Sequence, residues 1–220
     1  VSANQKAGFS VVSYTGTGSN GTVGHGLGAV PQLIIIKCRT ANSTDWTVYH
    51  DDVGNAKALH LNSDGTGTSG SGFFNSTSPT STVFSISTDN RVNQSSSHTY
   101  IAYCFAEIQG YSSFGKYTGN GNSSGGVGYT GFRPAFLITK RTDTSDNWAI
   151  YDSTRDTFNE RDSYLVADLS QAEATFSTAK VDFLASGFKW RGAVNFGNAN
   201  NGTYVYLAFA EQPFKYANAR

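Results

Sequence analysis

The sequence predicts an all-β fold made of two tandem, homologous β-sandwich repeats of jelly-roll or concanavalin-like type, with at most one short helix. Three observations predict it: five motifs recur after 102–104 residues, apolar residues alternate with period two, and glycine-rich segments separate short apolar runs. We place the first repeat at residues 1–110 and the second at residues 111–220.

The internal repeat is the strongest of these signals. Its longer motifs are Tyr14–Gly18 recurring as Tyr117–Gly121, Asp45–Tyr49 as Asn147–Tyr151, and Thr99–Glu107 as Thr203–Glu211. The offset between the copies drifts by only about a residue along the chain, so insertions are small and fall in loops. We therefore expect two copies of one structural unit with the same strand order.

Within each repeat the apolar pattern predicts antiparallel strands. Phe9–Tyr14, Trp46–His50 and Val83–Ser87 alternate as half-buried strands do. Leu33–Ile36 and Tyr100–Ala106 alternate less, and we expect them to be central strands covered on both faces. The predicted core contains most of Leu33–Ile36 and Phe136–Ile138, together with Ile101, Phe105, Val205 and Phe209.

The segments between these strands are rich in glycine and polar residues. Gly16–Gly28, Gly65–Gly72 and Gly119–Gly131 are predicted loops in which glycine adopts positive φ. Leu169–Ala179 is the predicted short helix, with Ser170 as its N-cap and Glu173 in the position of a capping box.

Composition argues against several classes of function. Lys plus Arg number 16 and Asp plus Glu number 16, so the formal net charge is zero. Nucleic-acid binding and polybasic attachment to a membrane both need an excess of positive charge, and we predict neither. The apolar runs are also far shorter than the roughly 20 residues of a membrane-spanning helix.

The cysteines and the first residues of the sequence lead to two further expectations. Cys38 and Cys104 lie in apolar, strand-like runs, which favours two buried thiols, although a disulfide between them stays open. The sequence contains no Met and begins at Val1. We expect it to be the carboxy-terminal part of a longer protein, or a processed product.

The sequence predicts no catalytic or metal-binding set. The four histidines, at positions 25, 50, 60 and 98, lack the spacing of a helical zinc site. At the repeat offset His25 aligns with Gly128, so the copies do not share a site built on this histidine. Asp51–Asp52 and Asp143–Asp146 are expected to be solvated loop carboxylates, with a cation site or a catalytic carboxylate pair as alternatives. We therefore predict a protein that is not an enzyme and has no metal or cofactor.

One repeated aromatic motif is the candidate binding site. An exposed ring beside polar side chains suits the apolar C–H face of a pyranose, and in a strand the Trp and Tyr of each copy should face opposite ways. The alternative is that each Trp belongs to the core and each Tyr to its rim. The candidate contacts are Trp46, Tyr49, His50, Trp148, Tyr151 and Asp152.

Several stretches resemble a family, namely Gly8–Gly16, Val23–Gly28, Tyr100–Phe105, Gly131–Phe136 and Ala208–Ala217. They are similar to an uncharacterised repeat domain in large structural proteins of tailed bacteriophages, especially marine ones. The resemblance spans nearly the whole chain and implies a tail or other virion protein. It carries no catalytic or binding residue over to this sequence.

The leading hypothesis is a non-enzymatic virion module of the tail-fibre or receptor-binding type, which recognises a neutral host-surface glycan. Its partners would be other virion proteins and copies of itself, without nucleic acid or membrane insertion, after assembly in the host cytoplasm. A capsid decoration or purely structural virion protein, a free carbohydrate-binding lectin and a polysaccharide-degrading enzyme are the alternatives.

Overall fold

The computed structural model describes residues 1–41 and 44–212, and the end of the predicted second repeat, including Pro213–Ala217 of the family motif, lies outside these residues. The chain divides into two compact units. Unit 1 contains Val1–Asn62 and Gly67–Glu107. Unit 2 contains Ser63–Thr66 and the chain from Ile108 onward.

Both units are built from short β-strands. Those of unit 1 are β1 (Ser2–Asn4), β2 (Phe9–Thr15), β3 (Gly21–Gly24), β4 (Leu33–Cys38), β5 (Thr47–His50), β6 (Lys57–His60), β7 (Thr68–Ser69), β8 (Val83–Ile86) and β9 (Thr99–Phe105). Those of unit 2 are β10 (Ser112–Thr118), β11 (Val127–Tyr129), β12 (Pro134–Arg141), β13 (Ala149–Asp152), β14 (Ser163–Val166), β15 (Ala174–Thr175), β16 (Val181–Leu184), β17 (Gly187–Trp190) and β18 (Thr203–Ala210). The helix α1 (Asn195–Asn198) precedes β18.

The strands form several antiparallel sheets, so the predicted all-β class is confirmed. In unit 1 the large sheet has the order β1-β2-β9-β4-β5-β6-β7, and β3 pairs with β8. In unit 2 the large sheet has the order β10-β18-β12-β13-β14-β15, and β11, β17 and β16 form a smaller one. From β2 and β10 onward the two large sheets have matching orders, with the last strand of each unit, β9 or β18, paired beside the first.

The registers of the two large sheets agree as well. In unit 1, Tyr14 pairs with Tyr100, and their rings stack with centroids 5.1 Å apart at 12°. In unit 2, Tyr117 pairs with Tyr204, and their rings stack with centroids 5.0 Å apart at 12°. These tyrosine pairs therefore provide a common reference for matching positions between the units.

The predicted core was placed on the wrong face of β9, the last strand of unit 1. In β9 the buried residues are Tyr100, Ala102 and Cys104, whereas Ile101 and Phe105 are only partly buried. β9 therefore alternates and is not covered on both faces as expected. The inward tyrosine keeps its hydroxyl satisfied, because Tyr100 donates to the Asn90 carbonyl at 2.8 Å. A hydrogen-bonded tyrosine can thus occupy the interior while isoleucine lines the other face.

The other predicted core residues are confirmed in part. Val205 is buried as predicted, but Phe209 is only partly buried. Within Leu33–Ile36 only Ile35 is partly exposed, whereas within Phe136–Ile138 only Leu137 is fully buried. Cys38 and Cys104 are buried and not joined by a disulfide, which confirms the favoured expectation for the thiols.

Two local predictions were wrong. The predicted helix Leu169–Ala179 instead contains β15, which pairs with β14, and the helix of the described chain is α1. A capping pattern without a continuous apolar stripe did not outweigh the ladder hydrogen bonds that β14 offers. The predicted loops Gly16–Gly28, Gly65–Gly72 and Gly119–Gly131 contain β3, β7 and β11, because glycine also occurs in strands where backbones or rings approach closely. Among the described residues, no helix is both long and apolar enough to cross a membrane.

Candidate functional site

The structure buries most of the predicted aromatic site. The exposed fraction is 1% for Tyr49, 2% for His50, 3% for Trp148 and 0% for Tyr151. The Tyr49 hydroxyl donates to Asp51 at 3.0 Å, and the Tyr151 hydroxyl donates to the Ala179 carbonyl at 2.7 Å. Both tyrosines belong to the core of their unit, so these side chains offer a ligand no accessible surface in this structure.

The tryptophans of the motif have repeated structural surroundings. Trp46 is partly exposed. Its backbone N–H donates to the Asn62 side chain at 2.8 Å, and the backbone N–H of Trp148 donates to the Asp168 side chain at 2.9 Å. A lysine ammonium lies near each ring, 5.7 Å from the centroid of Trp46 and 6.0 Å from that of Trp148. The two tryptophans therefore have the same kinds of partner in the two units.

His50 and Asp152 are different residue types, but each accepts a hydrogen bond from the backbone N–H two residues later. The Asp52 N–H donates to His50 Nδ1 at 3.2 Å, and the Thr154 N–H donates to an Asp152 carboxylate oxygen at 2.9 Å. Asp152 also receives a hydrogen bond from Arg155 Nε at 3.1 Å. Each side chain therefore caps the turn that follows its strand, which is a common role of such residues in turns.

Two buried asparagines that sequence reasoning missed organise the glycine-rich segments. In unit 1, Asn93 accepts from the Thr17 N–H at 2.7 Å and donates to the Ser19 carbonyl at 2.6 Å. In unit 2, Asn198 accepts from the N–H groups of Asn120 and Gly126 at 2.9 and 3.0 Å. The only signal for them was an asparagine shortly before the last strand of each repeat, at an offset of 105.

Strand register also corrects the sequence alignment around His25. Val23 pairs with Phe84 in unit 1, and Gly128 pairs with Phe188 in unit 2, so the counterpart of Gly128 is Val23. The counterpart of His25 is then Thr130, two residues further on. The correspondence extends to hydrogen bonds, since His25 Nδ1 accepts from the Leu27 N–H and Thr130 Oγ1 from the Phe132 N–H.

Unit 1 contains one compact charged cluster around Arg91. Its guanidinium makes two 2.8 Å hydrogen bonds to Asp89 and lies 3.3 Å from Asp45. His60 lies beside it, with Nε2 3.4 Å from Arg91 Nη1 and 3.0 Å from Thr68 Oγ1. In the part of the chain that the structure describes, no group of three or more His, Cys, Asp or Glu could hold a metal ion. Arg91 thus forms ion pairs with both Asp45 and Asp89.

The pKa directions in this cluster follow from burial and charge. Burial lowers the pKa of His60 and outweighs the nearby carboxylate of Asp45. Burial alone would raise the pKa of Asp89, but the hydrogen bonds from Arg91 more than offset it and lower the pKa. His25 also has a lowered pKa, again because of burial.

Unit 1 is expected to lose stability as the pH falls from about 7.5 to about 5. Both histidines are favoured as neutral groups in the fold, so the unfolded chain binds protons first once the pH drops below about 6.5. The carboxylates of Asp45 and Asp89, whose pKa values are lowered, add losses only at more acidic pH. Urea unfolding at both pH values, for the parent and for His25→Gln with His60→Gln, measures this. An equal loss in the parent and in the double variant would contradict it.

An open cleft of about 400 Å³ lies between β2 and β3 of unit 1. Val12, Val23 and Ile86 supply apolar surface, and Tyr14 adds the edge of a ring whose hydroxyl is held by the Val92 carbonyl at 2.7 Å. The remaining lining residues are Val1, Ser13, Thr15, Thr17, Gly21, Thr22 and Gly24. None of the described residues that line the cleft carries a charged side chain. The lining therefore combines apolar residues with Ser, Thr and Gly residues and, among the described residues, has no charged side chain.

The comparisons identify a family. The model of a domain of unknown function, DUF7483, matches residues 1–213. The chain belongs to the DUF7483 family. No curated protein and no solved structure matches it.

Family membership assigns no residue a role, so the geometry carries the functional argument for this DUF7483 chain. The buried hydrogen bonds of Asn93 and Asn198 stabilise the interior of each unit. The cleft of unit 1 is accessible and chemically suited to a ligand, which makes it the candidate site.

Proposed function

We propose that this DUF7483 chain consists of two homologous β-sandwich repeats of jelly-roll type, and that it is a non-enzymatic structural module of a tailed-bacteriophage virion. The matching strand orders support the repeat, as do the stacked tyrosine pairs and the paired anchors Asn93 and Asn198. The resemblance to phage structural proteins supports the virion. Its partners there would be other virion proteins and further copies of the chain.

Within the virion, the proposed role is of the tail-fibre or receptor-binding type, with recognition of a neutral host-surface glycan. The cleft of unit 1, which none of the described residues lines with a charged side chain, is the observation that carries this proposal. Its apolar residues can pack against the C–H face of a sugar ring, and its lining also contains Ser and Thr residues, a residue type that can exchange hydrogen bonds with sugar hydroxyls. Its volume lies within the range of about 300–1,000 Å³ common for small-molecule sites.

Binding to host-surface glycans is expected to change little between about 50 mM and about 500 mM salt, because no charged side chain of the described residues lines the cleft. A glycan array followed by calorimetric titration measures this. Thr22→Trp, at an exposed lining position, should block the cleft and abolish binding. Trp46→Ala, outside the cleft, should bind like the parent. Absence of binding on host glycans, or unchanged binding by Thr22→Trp, would rule out this role.

A purely structural role, as in capsid decoration, is the second candidate. The burial of Tyr49, His50, Trp148 and Tyr151 favours it, because the repeated aromatic motif then serves the fold alone. A chain located on the head of an intact particle, without glycan binding, would support this second role. A chain located on a tail fibre would support the first.

A further inference from the structure

One edge of β2 is covered by a strand along only part of its length. β9 pairs with one edge of β2 from end to end, whereas β1 pairs with the other edge at Phe9–Val11 alone. The outermost pair of that short ladder joins Ser2 to Val11. Val1, the next residue back, is 74% exposed and lines the cleft. The pairing of β1 therefore stops where the cleft begins.

The hydrogen-bond pattern shows which backbone groups face this open edge. Alternate residues of an antiparallel strand bond to opposite neighbours. The Gly16 N–H donates to the His98 carbonyl at 2.8 Å and continues the ladder to β9, so the even-numbered residues of β2 bond in that direction. Ser13 and Thr15 therefore direct their N–H and C=O groups to the open edge. Within the described part of the chain, no backbone partner meets them there.

The opposite side of the cleft is also a strand edge. Among the described strands, β3 pairs with β8 alone, and the His25 N–H continues that ladder by donating to the Thr82 carbonyl at 3.2 Å. Thr22 and Gly24 alternate with the residues that bond to β8, so their backbone groups point away from it. Both residues line the cleft. The cleft thus lies between two strand edges.

The lining indicates which side chain fits. Paired residues of neighbouring strands have their side chains on the same face, and the Tyr14 ring packs against the core. A residue paired with Tyr14 therefore points inward, into the cleft that Val23 and Ile86 line. Residues paired with Ser13 and Thr15 point outward, because both of these are exposed. Since no described residue lines the cleft with a charged side chain, an apolar inward residue fits best.

β1 indicates what kind of segment covers this edge. Ser2–Asn4 already covers the adjoining part as an antiparallel strand, and its Ser, Ala and Asn residues are small, uncharged and exposed. A strand that continues this ladder past Val1 keeps the same direction and register. It therefore meets Ser13, Tyr14 and Thr15 in turn, with small, uncharged residues on its outer face.

We propose that the open edge of β2 binds an extended, uncharged peptide segment as an added antiparallel strand, in line with β1. The outer residues of the segment exchange backbone hydrogen bonds with Ser13 and Thr15, and the residue between them places an apolar side chain in the cleft. Main-chain bonds supply the affinity of such added strands, and the pocket for the alternate side chain supplies the selectivity. Resting on the proposed function, the segment belongs to a neighbouring virion protein, and it excludes a glycan from the cleft while it is bound.

The probe is the capped peptide acetyl-Thr-Val-Ser-amide, whose valine meets Tyr14 in this register. In an NMR titration of the whole chain it should shift the amide signals of Ser13, Thr15 and Gly24. Two control peptides leave the protein unchanged. Acetyl-Thr-Asp-Ser-amide brings a charge into the cleft, and acetyl-Thr-Val-Pro-amide lacks the N–H that meets the Ser13 carbonyl. Each should bind about tenfold more weakly. Equal binding of all three, or shifts confined to other parts of the chain, would overturn the added strand.

A fused strand makes the same pairing intramolecular, which compensates for a weak free peptide. Thr-Val-Ser joined directly before Val1 continues β1 in register. Hydrogen exchange at the Ser13 and Thr15 amides should slow about tenfold or more in this extended chain. The matched chain with Thr-Val-Pro in the same place should show less protection at Ser13 and Thr15. If the extended chain exchanges these amides as fast as the parent does, the edge does not accept a strand and the inference is overturned.

A glycan arm separates this inference from the proposed function. Glycans found on the array should bind the parent and lose binding to the Thr-Val-Ser chain, because the fused strand covers the cleft. Protected amides with unchanged glycan binding would support the added strand but overturn the exclusion of glycan from the cleft. Protected amides in the extended chain, with no glycan binding by the parent, would support the added strand and overturn glycan recognition. Glycan binding by the parent without protection in the extended chain would do the reverse.

Discussion

Replacing Trp190 with alanine is expected to lower the free energy of unfolding by about 3–5 kcal/mol. The Trp190 side chain is fully buried in unit 2 and packs edge to face on Tyr151, with ring centroids 5.6 Å apart. Its indole N–H donates to the Tyr117 hydroxyl at 2.8 Å, and that hydroxyl donates in turn to the Gly197 carbonyl at 2.8 Å. The substitution therefore empties a large aromatic site and also removes a donor from a buried hydroxyl.

Urea unfolding followed by far-UV circular dichroism measures the effect, because this signal does not depend on tryptophan fluorescence. Phe158→Ala is the matched control, since Phe158 is 82% exposed and its loss should change stability by less than about 0.5 kcal/mol. A loss below about 1 kcal/mol for Trp190→Ala, at an unchanged denaturant slope, would show that this ring does not anchor the core of unit 2.

The second large effect is expected at the asparagine anchors. Asn198→Ala should lower the free energy of unfolding by about 2–4 kcal/mol, because buried backbone groups then lose their partners. The Asn198 side chain accepts from two backbone N–H groups and donates to the carbonyls of Asn122 and Gly192, each at 2.9 Å. Asn93→Ala should cost less, since Asn93 makes fewer short hydrogen bonds of this kind.

The same unfolding measurement compares the two anchors with Asn200→Ala, an exposed neighbour that should have little effect. Hydrogen exchange adds a local test, because the amides of Asn120 and Gly126 should lose protection in Asn198→Ala and keep it in Asn93→Ala. Equal, small effects of Asn198→Ala and Asn200→Ala would mean that solvent replaces the anchor at little cost.

The difference between the predicted and the observed core shows that an alternating pattern does not reveal which face of a strand is buried. Alternation in Tyr100–Phe105 establishes that the strand has two faces, but not which face lies inside. Side-chain hydropathy favoured Ile101 and Phe105, whereas the fold buries Tyr100, Ala102 and Cys104. The choice depends on whether each tyrosine hydroxyl finds a partner, and those partners belong to loops that only the folded chain brings close.

The candidate site was beyond sequence reasoning for a similar reason. The aromatic residues of the repeated motif are conspicuous in sequence, yet in the fold most of them are core or turn residues. The cleft is lined by residues such as Val12, Val23 and Gly24, none of which is conspicuous in the sequence. They come together only because the fold sets β2 beside β3.

The sequence by itself determined the all-β class, the tandem similarity between the halves, the neutral charge and the burial of the two cysteines, whereas the structure showed that they are not bridged. These properties follow from composition and from short-range periodicity, which any local segment carries. Tertiary structure alone decided which strand face is inside, that β3 and β11 run through the glycine-rich segments, and that a cleft opens in unit 1. Each of these depends on hydrogen bonds and ring contacts between residues distant in the chain, whose geometry only the folded sheets define.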